Sequence, residues 1–281
     1  MHRYRGFIGF ATILTAEALL HSGNRFVAQW FTPIAWIGYI LLMDHVNHRL
    51  GGWSLMVDRT REFLLMIPLS IACWVIFEAY NLHLKNWTYV ELPANPWVRH
   101  FGYGISFATI FPGIFQTYYF VEHIGLFRGW KAGRPIRLGK YARGLSVTGA
   151  LFLVIPLLTQ EEAAKYLFGL VWVGFILVLE PINYRLGFHS ILGDMEKGDR
   201  ASLAGLLTAG AICGVLWEFW NFWAETKWVY TLPFPVGFRI FEMPALGFLG
   251  FLPFAVECYC MFTFCAMRAE SSRAAISTSS G

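Results

Sequence analysis

The feature that most limits what this chain can fold into is a succession of apolar runs near the length needed to cross a bilayer. A span takes roughly 20 mostly apolar residues. Eight stretches are candidates: about 6–21, 26–43, 63–82, 101–123, 142–159, 165–184, 201–223 and 243–267. Hydrophobic residues make up 56% of the 281 and charged residues only 14%, against about 25% charged in a soluble domain. The expected class is an all-α polytopic membrane protein with the lipid bilayer as its partner. The net charge of +4 asks for no nucleic-acid partner, because the positive residues fall between the runs. The cysteines (73, 213, 258, 260 and 265) all lie inside the runs, which argues against a disulfide framework or a zinc finger. The first run has no small-residue cleavage site after it, so it is expected to be a span and not a cleaved signal. The tail from Arg268 has no apolar face to bury and is expected to be disordered.

Loop charges set an expected orientation. The N-terminus, the even-numbered loops and the C-terminus together carry 16 of the 22 Lys and Arg residues, and the opposite side carries 6. Positive residues stay inside, so both termini are expected in the cytoplasm, with a bacterial cell membrane as the setting.

The chain also repeats itself. Glu78, Asn81, Trp87, Tyr89 and Pro93 match Glu218, Asn221, Trp228, Tyr230 and Pro233, at offsets of 140 or 141 residues. Asp44, Asn47, Arg49 and Gly51 match Glu180, Asn183, Arg185 and Gly187, and Pro112, Gln116 and Tyr118 match Pro253, Glu257 and Tyr259. Four spans per copy is an even number, so the copies are expected to be parallel, related by an axis along the membrane normal. The expected organisation is a first four-helix repeat over 1–126, a basic cytoplasmic linker over 127–141, a second repeat over 142–267 and the tail over 268–281.

An ionisable group at the bilayer centre costs roughly 2.5–3.5 kcal/mol on the insertion scale, so acids inside the runs need a partner or a purpose. Glu78 with Asn81, and Glu218 with Asn221, are spaced i,i+3 and share a helix face. Each pair is either a hydrogen-bonded clip between helices, worth about 0.6 kcal/mol, or a functional acid, or a group that snorkels to water. Glu242 enters the last run from the same side. A second layer, Asp44/Asn47/Arg49 and Glu180/Asn183/Arg185, is expected either to fix the packing of the two halves by cross-helix ion pairs or to bind a headgroup. Glu257 lies deeper, opposite Gln116 in the repeat. Its acidity is the one intramembrane difference between the copies, and it is functional or structural with equal warrant. Trp217 and Trp220 flank Glu218 and are either substrate-facing or packing residues. His45 and His48 are three apart beside Asp44 but have no further ligand, so no metal is expected.

The segments K-W-V-Y-T-L-P (227–233), G-F-R-I-F-E-M-P (237–244) and G-F-L-P-F-A-V-E (250–257) resemble the small membrane lycopene cyclases. That family joins a Trp-x-Tyr loop to a helix opening near an acidic Pro-x-Glu-Glu motif, of which this chain holds Glu257. The resemblance implies a membrane enzyme of carotenoid metabolism with a hydrophobic small-molecule substrate. A carboxyl buried in hydrocarbon can stay protonated, because desolvation disfavours the charged form. It can then give its proton to an alkene, and aromatic faces stabilise the cation formed. On this expectation Glu218, Glu78 and Glu257 are catalytic, and Asn221, Asn81, Trp217, Trp220 and Glu242 bind substrate. A transporter or lipid carrier built from parallel repeats is the alternative, and a structural membrane subunit the next.

Overall fold

The computed structural model describes residues 4–231 and 238–279, so the matched Pro233 and the Gly237 that opens the second resembling segment lie outside the described residues. In chain order the elements are α1 (Arg5–His21), α2 (Arg25–Gly51), α3 (Thr60–Leu84), β1 (Trp87–Val90), α4 (Pro96–Ala108), α5 (Ile110–His123), α6 (Ala142–Leu158), α7 (Glu161–Ala164), α8 (Phe168–Arg185), α9 (Ile191–Glu196), α10 (Ala201–Trp223), β2 (Lys227–Tyr230), β3 (Arg239–Ile240), β4 (Met243–Pro244) and α11 (Phe251–Ser279). The protein is an all-α bundle with two short ladders at one end.

Among the described residues six helical segments are long and apolar enough to cross a membrane: Arg25–Gly51, Thr60–Leu84, Gly139–Leu158, Phe168–Arg185, Ala201–Trp223 and Ala245–Arg268. Two of the eight expected spans fall short. The first, α1, has 17 residues. The fourth is not one helix but two, α4 and α5, which meet at Thr109. Pro112 explains the break: its ring clashes with the carbonyl four residues back, at Ala108, and it offers no N–H there. Ser70 of α3 repairs the gap. Its hydroxyl donates to the Phe107 carbonyl and accepts the Phe111 N–H at 3.0 Å, as irregular backbone inside a bundle requires. The last segment begins in the same manner, with a tight turn over Ala245–Gly250 before α11 and Pro253. Helix α11 continues to Ser279, so the tail expected to be disordered from Arg268 is helical through residue 279.

Helices α1 and α2 cross where a side chain on Gly9 would strike the Gly38 carbonyl. Helices α6 and α8 cross in the same way: a side chain on Gly149 would strike the Gly174 carbonyl. Helices α5 and α11 pack against α10 and α3, joining the first half of the chain to the second in a core rich in aromatic side chains. The basic segment 127–141 is not a free tether. It is bonded to the 190–200 region through Gly133 N–H to Gly198 O, Ile136 N–H to Met195 O and Arg200 N–H to Trp130 O.

The ladder β1–β2 was not expected. The Trp-x-Tyr stretches follow the apolar runs and fit loops at the membrane interface, but W-T-Y-V and K-W-V-Y have the alternation and the β-branched and aromatic content of strands. They pair antiparallel, Trp87 opposite Tyr230 and Tyr89 opposite Trp228, so one strand from each half closes the end of the bundle.

Candidate functional site

Each half builds the same local unit. In the first, the Asn81 amide donates to the Trp87 carbonyl at 2.9 Å, and its Oδ1 accepts the N–H groups of Asn86 (2.8 Å) and Trp87 (3.3 Å). In the second, Asn221 donates to the Trp228 carbonyl at 2.8 Å and accepts the Trp228 N–H at 3.0 Å. Each Asn therefore satisfies strand backbone just past its own helix. It clips helix to strand, not helix to helix.

The acids receive the side chains of those strands. Glu78 Oε1 accepts from Tyr89 OH at 2.6 Å, Trp74 Nε1 at 2.8 Å and Trp87 Nε1 at 3.0 Å. Glu218 Oε1 accepts from Tyr230 OH at 2.7 Å and Trp228 Nε1 at 3.3 Å. The third donor is missing in the second half because the position matching Trp74 is Gly214, whose Cβ place is filled by the ring of Phe251. Glu218 is fully buried, and its Oε2 has no hydrogen-bond partner. Trp228 Nε1 also donates to Tyr230 OH at 2.9 Å, and Trp74 Nε1 to Tyr89 OH at 3.2 Å. Enclosure holds the Tyr89 and Tyr230 hydroxyls well above the ordinary phenol value of 10.0, and the carboxyl beside each pushes the same way. Both phenols stay protonated at neutral pH.

Between the halves lies a cavity of about 860 Å³, within the 300–1,000 Å³ usual for ligand pockets. Its walls are mainly apolar and rich in aromatic rings. Tyr89 and Tyr230 line it, as do Trp74, Trp87, Trp217 and Trp228, while Glu78 and Glu218 stand behind their Tyr and Trp donors and do not line it. Trp217 stacks toward Trp36 with ring centres 4.9 Å apart. Trp220 sits outside the cavity, against Trp36 and Tyr39. Glu242 is committed to an ion pair with Lys227 at 2.6 Å.

Glu257 belongs to neither Glu unit. It is fully buried, both of its carboxyl oxygens lack hydrogen-bond partners, and it lies outside the cavity, one turn past the lining residue Phe254. Its match to Gln116 is corrected by the contacts. Gln116 Nε2 donates to Asp44 at 3.0 Å, and its carbonyl accepts from Asn47 at 2.8 Å. In the second half those roles fall to Cys260, whose thiol donates to Glu180 at 3.2 Å and whose carbonyl accepts from Asn183 at 3.0 Å. The same shift pairs Thr117, beside Cys213, with Met261, beside Cys73. In this register Glu257 falls opposite Gly113, where the Trp36 ring leaves no room for a side chain.

The inner layer does not bridge the halves. Asp44 pairs with Arg5 at 2.6 Å and accepts from Ser54 Oγ and the Met56 N–H. Glu180 accepts the Leu192 N–H at 2.9 Å. Both acids hold the turn that follows their own helix, and neither is paired with Arg49 or Arg185. Among the described residues no three His, Cys, Asp or Glu side chains converge as a metal site. Sequence reasoning missed Trp74, although i,i+4 spacing before Glu78 on a helix was the available signal. It also missed Arg99 and Lys165, which line the cavity. No protein-family model, characterised protein or solved structure matches this chain.

Proposed function

We propose that this protein is an integral-membrane enzyme that moves protons on an isoprenoid, carotenoid or other lipid alkene, in the manner of the lycopene cyclases it resembles. The observation that carries the proposal is the aromatic cavity with two tyrosines in its wall, each backed by an acid. The proposed setting is a bacterial cell membrane. The eight apolar segments cross it as two parallel halves of four, with the termini and the basic segment 127–141 in the cytoplasm. The charge asymmetry and the recurring Asn, Glu and glycine contacts support that arrangement.

The two acids suit opposite tasks. Three donors on one Glu78 oxygen favour a carboxylate, whereas Glu218 has two donors on one oxygen and none on the other. With Glu218 protonated, the 2.7 Å contact runs from carboxyl to phenol. Tyr230 oxygen then accepts from both Glu218 and Trp228, and its own O–H is free to point into the cavity. Tyr230 gives that proton to an alkene carbon and takes the proton of Glu218, leaving a carboxylate behind and a carbocation in the cavity. Ring faces such as those of Trp217 and Trp228 stabilise the cation. Loss of a proton from a neighbouring carbon, through Tyr89 to Glu78, restores an alkene and leaves the mass unchanged.

Mass spectrometry of lipid and pigment extracts tests this in cells carrying wild type, Glu218→Gln, Tyr230→Phe or no gene. A hydrophobic product is expected in wild type alone, isomeric with its precursor. General acid catalysis is worth about 10²–10⁴-fold, so each variant should lose at least about 100-fold of the product. Identical extracts from all four, with the variants folded, would overturn the enzyme reading and favour the lipid carrier.

A further inference from the structure

The cavity is apolar along most of its wall but not beside the ladder. Three cationic residues line it on the face closed by the ladder: Arg99 of α4, Lys165 just past α7 and Lys227 of β2. Lys227 is neutralised by Glu242. Among the described residues neither Arg99 nor Lys165 has an acid within ion-pair distance. Arg99 is nonetheless fixed in place. Its Nε and Nη2 donate to the Pro93 carbonyl at 3.1 and 3.0 Å, which keeps the guanidinium beside the end of β1 and leaves Nη1 without a partner among the described residues. The backbone of Lys165 is fixed at the other end of β1, where Asn86 Nδ2 donates to its carbonyl at 2.9 Å, and among the described residues its ammonium makes no hydrogen bond. Asn86 also lines the cavity.

Positive charge facing a largely apolar space is costly unless it has water or an anion to meet. A substrate that was hydrocarbon throughout would gain nothing from it. We propose that the ligand is an amphipathic lipid with an anionic head, a phosphate monoester or diphosphate, whose head meets Arg99 and Lys165 beside the ladder while its unsaturated tail fills the aromatic cavity. This rests on the reading of that cavity as the substrate site, and it narrows the substrate class to phosphorylated lipids. Guanidinium and ammonium groups bind phosphate oxygens by short, charge-assisted hydrogen bonds.

The test titrates the tryptophan fluorescence of detergent-purified, full-length protein with farnesyl phosphate, farnesol, lysophosphatidic acid and inorganic phosphate. Farnesyl phosphate is expected to saturate at a concentration at least ten-fold below farnesol. In the double variant Arg99→Gln, Lys165→Gln that advantage should vanish, while farnesol binding is kept. Lys165→Gln alone keeps the backbone carbonyl that Asn86 binds, so it reports on the charge even if the double variant folds poorly, and partial loss is expected. Lysophosphatidic acid binding as tightly as farnesyl phosphate would assign the phosphate to a phospholipid. Inorganic phosphate saturating at the same concentration as farnesyl phosphate would overturn the lipid assignment. Equal affinity for farnesol and farnesyl phosphate would overturn head recognition and leave the apolar-cavity reading intact. Saturation by neither would overturn both.

Discussion

Asn81 and Asn221 direct their side-chain hydrogen bonds to backbone at the start of each strand. Removing one strands buried N–H and C=O groups, and each orphaned group costs about 1–3 kcal/mol. Asn221→Ala should therefore lower the melting temperature in detergent clearly, and Asn81→Ala at least as much, since Asn81 makes three such bonds. An unchanged melting curve for both would show that the ladder does not depend on them. The doubled Glu-x-x-Asn spacing was legible in the sequence, and it led to the right residues. Their partners were not legible. The donors to Glu218 lie ten and twelve residues downstream across a chain reversal, and no periodicity predicts a distance across a turn. The asymmetry at Glu257 was legible as an asymmetry, but its counterpart was misplaced. Pro112 and Pro253 suggest one register in the sequence, and the contacts follow another, three residues further on.

At the scale of helices, the apolar runs located most elements, because burial in lipid demands long runs of one kind. What they could not show is where a run stops being one helix. Pro112 breaks the fourth segment without lowering its hydropathy enough to be noticed. The four-residue strands are short enough to pass for loop. The glycine crossings carry a sharper prediction. A side chain at Gly149 would lie 2.7 Å from the Gly174 carbonyl and 2.8 Å from Val178 N, whereas Gly144 on the same helix has open space. Overpacking costs about 1–3 kcal/mol or more. Gly149→Leu should lower the yield of folded protein by gel filtration and lower its melting temperature, and Gly144→Leu should do neither. Equal tolerance at both positions would refute the close crossing of α6 and α8.

For the molecule as a whole, the ladder makes one body of two halves at that face, and its tyrosines give stability a pH dependence. In the folded protein Tyr89 and Tyr230 ionise well above their ordinary value of 10.0, whereas in the unfolded chain they ionise near it. Their contribution is complete below about pH 10 and falls as pH rises beyond it, because only the unfolded state then releases the protons. Melting temperature should drop between about pH 10 and 11, and the double variant Tyr89→Phe, Tyr230→Phe should flatten that slope. Equal slopes would mean that other groups govern alkaline unfolding.

The register of that ladder has one more consequence. Trp opposite Tyr at one pair and Tyr opposite Trp at the other is a pattern unchanged when the strands trade places, the hallmark of a two-fold, self-matching contact. Such a contact offers a bound molecule the same Trp and Tyr donors from left and right, and by itself it has no preferred direction. Direction enters where one side departs from the other, as at Trp74 against Gly214 in front of the acids and at Lys227 against Asn86 in the cavity wall. These few unlike pairs give the site a front and a back.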